Sequence, residues 1–204
     1  GIAIQYPAFN GGIWTPNLVH APSGVTGALW GVLQLSSGQP IPYGVPISHD
    51  GTGWQGALTS SQLFTHIAAG SDGSVFGVVM TGTNAYALAQ LQPDGSTWSS
   101  LAGLPVPPAH LSAGDASHVW LLGTDNKVYR YAAGSFAQVA SIDMATHIAA
   151  NPDGTVWHAK GDPYAYRFIS EGTAAATQLA IANGNTISKV ASAGMPDSRA
   201  VSVA

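Results

Sequence analysis

Apolar and polar residues alternate over short runs along this chain, and the runs are separated by breaks rich in Gly and Asp. The runs Val75-Phe-Gly-Val-Val79, Val119-Trp-Leu-Leu122 and Val156-Trp-His158 are rich in β-branched and aromatic residues, the composition of strands. A Tyr-bearing run follows in each case: Tyr86-Ala-Leu-Ala89, Val128-Tyr-Arg-Tyr131 and Tyr164-Ala-Tyr-Arg-Phe168. A further run carries Trp after a Gly-containing turn, as in Gly51-Thr-Gly-Trp54 and Gly95-Ser-Thr-Trp98. The breaks Ser71-Asp72-Gly73-Ser74 and Pro152-Asp153-Gly154-Thr155 predict two-residue hairpins, in which Asp-Gly supplies positive φ. No window sustains the 3.6-residue apolar spacing of a capped helix; 87–91 comes nearest and is short.

The strands recur as one line. Its clearest copies are His66-Ile-Ala-Ala-Gly-Ser-Asp-Gly-Ser-Val-Phe76 and His147-Ile-Ala-Ala-Asn-Pro-Asp-Gly-Thr-Val-Trp157. Looser copies run from His20 to Trp30, from His110 to Trp120, and from Lys189 to Ala200. The closing positions step from 30 to 76 (46 residues), to 120 (44), to 157 (37) and to 200 (43). A period of about 40–45 residues with four strands per unit is that of a propeller blade. The expectation is an all-β, five-bladed β-propeller of four-stranded antiparallel blades, a single domain over 1–204. Its blades fall at about 18–58, 59–102, 103–141, 142–182, and 183–204 joined with 1–17. The last copy stops after two strands, and Ile2–Tyr6 with Gly11–Trp14 offer its third and fourth. Such closure removes the exposed edges of an open array.

Composition narrows function more than fold. Charged residues are 8% of the chain, against roughly 25% in typical domains, while apolar residues are 46%. The surface is therefore built from Ser, Thr, Asn, Gln, Gly and backbone, which suits neutral polar ligands. Net charge is −4 with no basic run, which argues against nucleic acid. With no Cys, disulfides and thiolate metal sites are excluded and the redox compartment stays open; cytoplasmic and secreted settings both fit a soluble chain. No 18-residue apolar stretch predicts a membrane span. Oligomeric state leaves no mark in the sequence.

The line at 66–78, with Asn126-Lys-Val-Tyr-Arg-Tyr131 after it, resembles the tectonin repeat, and the resemblance runs through the whole chain. It is strongest at 63–98, 110–131 and 144–168; it is weakest in the first copy and in the last, where Met195-Pro-Asp-Ser198 replaces Asp-Gly. WD40 and kelch signatures are absent. The resemblance implies a lectin with glycan sites repeated around the ring, recognising microbial or invertebrate glycans in defence; the five-bladed tachylectin-like lectins share that arrangement.

Several residues are candidates for such sites. The second-strand aromatics Trp30, Phe76, Trp120 and Trp157 read first as fillers between blades, because large rings bury readily. Trp14, Trp54 and Trp98, with Phe136 in the equivalent place, lie nearer the rim and are candidates for stacking on sugars, with packing as the competing role. Asp72, Asp94, Asp153 and Asn126 are turn formers that also offer groups to sugar hydroxyls. Ca²⁺ is a conceivable companion of these carboxylates, although no EF-hand loop is present. His20, His66, His110 and His147 share one repeat position, where hydrogen bonds to a neighbouring blade compete with a ligand or metal role.

An enzyme is not expected. Glycoside hydrolysis needs two carboxylates at a set separation. Here the acids sit in turns, Glu171 is the only Glu, and no Gly-X-Ser-X-Gly elbow occurs. A protein-interaction scaffold is the alternative to the lectin, ahead of a hydrolase.

Overall fold

The computed structural model describes residues 62–169 continuously, with strands at 19–20, 29–36, 43–49, 54–55, 177–180, 190–192 and 201–203. It is all-β: every sheet is antiparallel, and no helix occurs among the described residues. β1 (Val19–His20), β2 (Leu29–Ser36), β3 (Tyr43–His49) and β4 (Trp54–Gln55) form the first meander. The second holds β5 (Phe64–Ala69), β6 (Val75–Gly82), β7 (Ala85–Leu91) and β8 (Trp98–Gly103). A single bridge, Gly44 to Phe64, joins these two into one sheet. β9 (Pro108–Asp115), β10 (His118–Gly123), β11 (Val128–Ala132) and β12 (Ser135–Gln138) make the third. β13 (His147–Ala150), β14 (Val156–Ala159), β15 (Tyr164–Phe168) and β16 (Thr177–Ala180) make the fourth. β17 (Val190–Ser192) pairs with β18 (Val201–Val203). The first strands of successive units, β5, β9, β13 and β17, pack side by side in chain order, as propeller blades do. The closing strands expected at 2–6 and 11–14 lie outside the described residues.

The core sits between the units. Ala68, Phe76, Val78 and Leu88 of the second unit meet Leu111 and Val119 of the third. Trp120, Leu122 and Val128 meet Ile148, Ala150 and Val156 of the fourth, and Trp157 meets Val190 of the fifth. Phe76, Trp120 and Trp157 are at most 1% exposed, so this repeat position fills the wedge in these three units. The indole N–H groups of Trp120 and Trp157 are buried without a hydrogen-bond partner. Phe76 serves in the same slot with no N–H at all, so shape and apolar area decide what occupies it.

The Asp-Gly turns differ from the expected two-residue form. Gly70 N–H donates to Ser74 O and Gly73 N–H to Gly70 O, leaving a three-residue loop in which Gly73 alone has positive φ (86°). Residues 151–155 repeat this with Gly154 at 82°. Residues 123–127 do so with Asn126 at 62°, Asn being the commonest non-Gly occupant of that region. A type I turn closed by one left-handed residue needs only that residue to have positive φ, which leaves Asp free to accept hydrogen bonds.

Candidate functional site

In an antiparallel meander the first and third hairpin turns lie at one end, and the second turns, with the connections between units, at the other. Asp72, Asp94 and Asp153 therefore share one end, and Asn126 lies at the opposite one. Asp72 accepts from the Ser74 amide (3.0 Å), the Ser74 hydroxyl (2.6 Å) and, in the next unit, the Ala116 amide (3.0 Å). Partial burial raises its carboxyl, and these three donors more than offset that, so it titrates below the ordinary value. The Thr97 hydroxyl, the Thr97 amide and the Ser96 amide lower Asp94 to about 2. Asp153 is raised by burial but ends below its usual value through the Thr155 hydroxyl and amide and the Arg167 guanidinium at 3.1 Å. Asn126 donates its amide to Gly123 O and accepts the Ala145 amide at its carbonyl, both at 3.0 Å. All four residues hold turns, and Asp72 also ties two units together.

Trp98 is half-buried, its ring 4.6 Å from Phe64. Gly77 makes room for both: a Cβ there would stand 2.6 Å from the Phe64 ring and 3.3 Å from that of Trp98. Phe136 packs on Tyr131 at 5.4 Å. Trp14 lies outside the described residues, as does the side chain of Trp54.

The His series lies at the second-turn end. His66 Nε2 meets the Ala109 carbonyl of the next unit (3.1 Å), which assigns the proton to Nε2. Nδ1 then accepts from the Thr65 hydroxyl at 3.0 Å. Burial lowers this imidazole to about 4 against the carbonyl's opposite pull. His110 lies 4.2 Å from His147, and His147 Nδ1 accepts the Val190 amide (3.3 Å). The series thus links neighbouring units, and no cluster of three metal-ligating side chains forms among the described residues.

At this same end the structure assembles a set that sequence reading passed over. Tyr129 donates to Asp125 Oδ2 (2.7 Å), and Tyr166 donates to Asp162 Oδ2 (2.5 Å). In both cases the other carboxylate oxygen accepts the amide two residues on, from Lys127 or Tyr164, at 3.1 Å. Burial, then the Asp125 bond and charge, raise Tyr129 to about 12; the Asp162 bond, then burial, raise Tyr166 to about 12. In the fourth unit the set is larger. The His158 ring stacks on Tyr166 at 5.2 Å and 19°, Lys160 Nζ lies 5.0 Å from the same ring, and Tyr164 is 6.3 Å away. His158 Nδ1 is buried with no hydrogen-bond partner. Burial, then the Lys160 charge, lower its imidazole to about 4, with Asp162 opposing. The available signal was an Asp-x-x-x-Tyr spacing recurring 37 residues apart, the same interval that separates Trp120 from Trp157.

No protein-family model matches the chain, and no curated protein sequence matches it. Among solved structures, 58 chains match. One is YCF48 bound to a D1 peptide, at 12% identity and a TM-score of 0.47, covering 87% of this chain and 64% of that one. A quinonprotein alcohol dehydrogenase-like protein from Bacteroides thetaiotaomicron is 13% identical with a TM-score of 0.47, covering 72% and 42%. Apo AztD from Citrobacter koseri is 13% identical with a TM-score of 0.46, covering 84% and 49%. The chain thus spans less than two thirds of the length of each. Among the described residues no helix is long and apolar enough to cross a membrane.

Proposed function

We propose that the chain forms a five-bladed propeller, closed by residues 1–17 completing the fifth unit, and that it binds glycans at several related sites without catalysis. The observation that carries this reading is the repeated display of one polar–aromatic set, Asp125 with Tyr129 and Asp162 with Tyr166, at one end of consecutive units. Each carboxylate keeps lone pairs for ligand hydroxyls beyond the two bonds it makes. Each Tyr fixes its carboxylate in place, and in the fourth unit Tyr164, exposed beside Asp162, brings a ring of the kind that covers the C–H face of a sugar. The low charge of the chain and its resemblance to the tectonin repeat point the same way. Several weak sites on one rigid ring raise avidity by roughly 10²–10⁴ on a dense target. Labelled whole chain on an array of methylated, microbial and GlcNAc-terminated glycans tests the reading. Binding that free sugar competes away is expected, and silence across the array overturns it.

One feature favours a second reading, a protein-interaction propeller. Met144 is 59% exposed with φ 56°, held out between buried Ile142 and Ala145. That reading predicts partner capture that free sugar leaves unchanged and that Met144→Ser abolishes.

A further inference from the structure

The described units do not display equal surfaces at the second-turn end. Strand register gives the equivalences: Gly77 faces Ala89, Leu121 faces Tyr129, and His158 faces Tyr166. In the second unit the rings of Phe64 and Trp98 occupy the space over Gly77. In the third, Leu121 is fully buried and Tyr129 only 7% exposed. Two residues before these, the three units carry Ala87, Lys127 and Tyr164. Of these three, only the fourth unit therefore sets an aromatic ring there, and Tyr164 is 38% exposed.

We propose that the Lys160–Tyr166 hairpin of the fourth unit is the principal saccharide subsite, seating one uncharged pyranose on Tyr164 with its hydroxyls between Asp162 and Lys160. This rests on the glycan-binding reading and narrows it to one blade and one ligand charge. Tyr164 supplies the apolar platform. Tyr166 fixes the two charges beside it, its hydroxyl bonded to Asp162 Oδ2 at 2.5 Å and its ring carrying Lys160 Nζ at 5.0 Å. Those contacts, with the Tyr164 amide on Asp162 Oδ1, hold the hairpin in place before ligand arrives. A sugar hydroxyl is both donor and acceptor, so a vicinal pair satisfies a carboxylate and an ammonium at once. The two charges sum to zero. A uronic carboxylate, an acceptor only, would pair with Lys160 and offer Asp162 no donor, so sugars whose hydroxyls serve both groups are favoured.

Isothermal titration of the whole chain tests this with the methyl glycosides of glucose, mannose, galactose and N-acetylglucosamine, and with methyl glucuronide as the charged probe. At least one neutral glycoside is expected to bind, with the glucuronide at least about tenfold weaker. Tyr164→Ala and Asp162→Asn should each weaken the tightest event by about tenfold or more, the loss expected for a hydrogen bond to a charged group or a stacking ring. Tyr164→Phe should retain binding, and Gln138→Ala, on the exposed outer strand β12, should change nothing. Thermal melting checks that each variant remains folded. Glycoside binding that survives Tyr164→Ala and Asp162→Asn undiminished overturns the subsite and leaves the glycan reading standing. Absence of any glycoside binding by the unaltered chain, together with a silent array, overturns both.

Discussion

Gly114 on β9 lies directly against the backbone of Asn151 in the next unit. A Cβ on Gly114 would stand 2.1 Å from the Asn151 carbonyl oxygen, 2.3 Å from its carbon and 2.7 Å from Pro152 N. Gly70 holds the same repeat position one unit earlier, where a Cβ would come within 2.7 Å of Asp115 Cα. Close approach to the following unit thus requires Gly in the second and third copies of the line, while the fourth carries Asn151 at this position. Backbone cannot swing aside as a flexible side chain does, so Gly114→Ala should destabilise by about 3 kcal/mol, the upper part of the overpacking range. A Cβ on Gly103 meets nothing within 4 Å, so Gly103→Ala is the control and should be neutral or slightly stabilising. Urea midpoints compare the two; equal midpoints would show that the units do not meet at Gly114.

The repeated line was legible because it is periodic. Its strands, its turn Gly residues and its aromatics recur in the same order in successive copies, and Phe76, Trp120 and Trp157 do occupy the wedges. What escaped reading depends on a partner the line does not contain. Gly70 and Gly114 stand in the repeated line with no role the line itself reveals, because their reason lies in the following unit. Asp125 and Asp162 read as further turn acids, because the Tyr that each receives sits beyond the turn, four residues on. The rim Trp98 shares its space with Phe64 through the absence of a side chain at Gly77, a three-residue arrangement with no sequence period.

His66 and His158 give the fold an acid limit. Burial lowers both imidazoles from 6.5 to about 4, so in that interval the unfolded chain binds protons that the folded chain does not. Their contribution is complete above about pH 6.5, declines as pH falls toward 4, and levels off below; each adds a slope of up to about 1.4 kcal/mol per unit. Asp72, Asp94 and Asp153, all lowered from 3.8, add a loss only at still lower pH. Urea unfolding between pH 7.5 and 4.5 should show the decline. His158→Leu, which copies Leu121 of the third unit, should flatten it by about half; an unchanged slope would remove His158 from the account.

Trp120 tests whether the wedge needs an indole or only its bulk. The ring is fully buried, 5.7 Å from Phe168 in an edge-on arrangement, and packed among Leu122, Ile148 and Val156. Arg130 lies over it at 5.6 Å, while its N–H finds no acceptor. Removing the ring altogether leaves a large cavity between two units, so Trp120→Ala should cost about 3–5 kcal/mol. Trp120→Phe loses part of the apolar area and relieves a buried N–H of its lost hydration, two effects of opposite sign. Its net cost should be about 1 kcal/mol, in keeping with Phe76 at the same position of the second unit. Urea denaturation of the two variants separates these terms. A Phe substitution as damaging as Ala would mean that the indole nitrogen is held by an acceptor and that Phe76 is a special case.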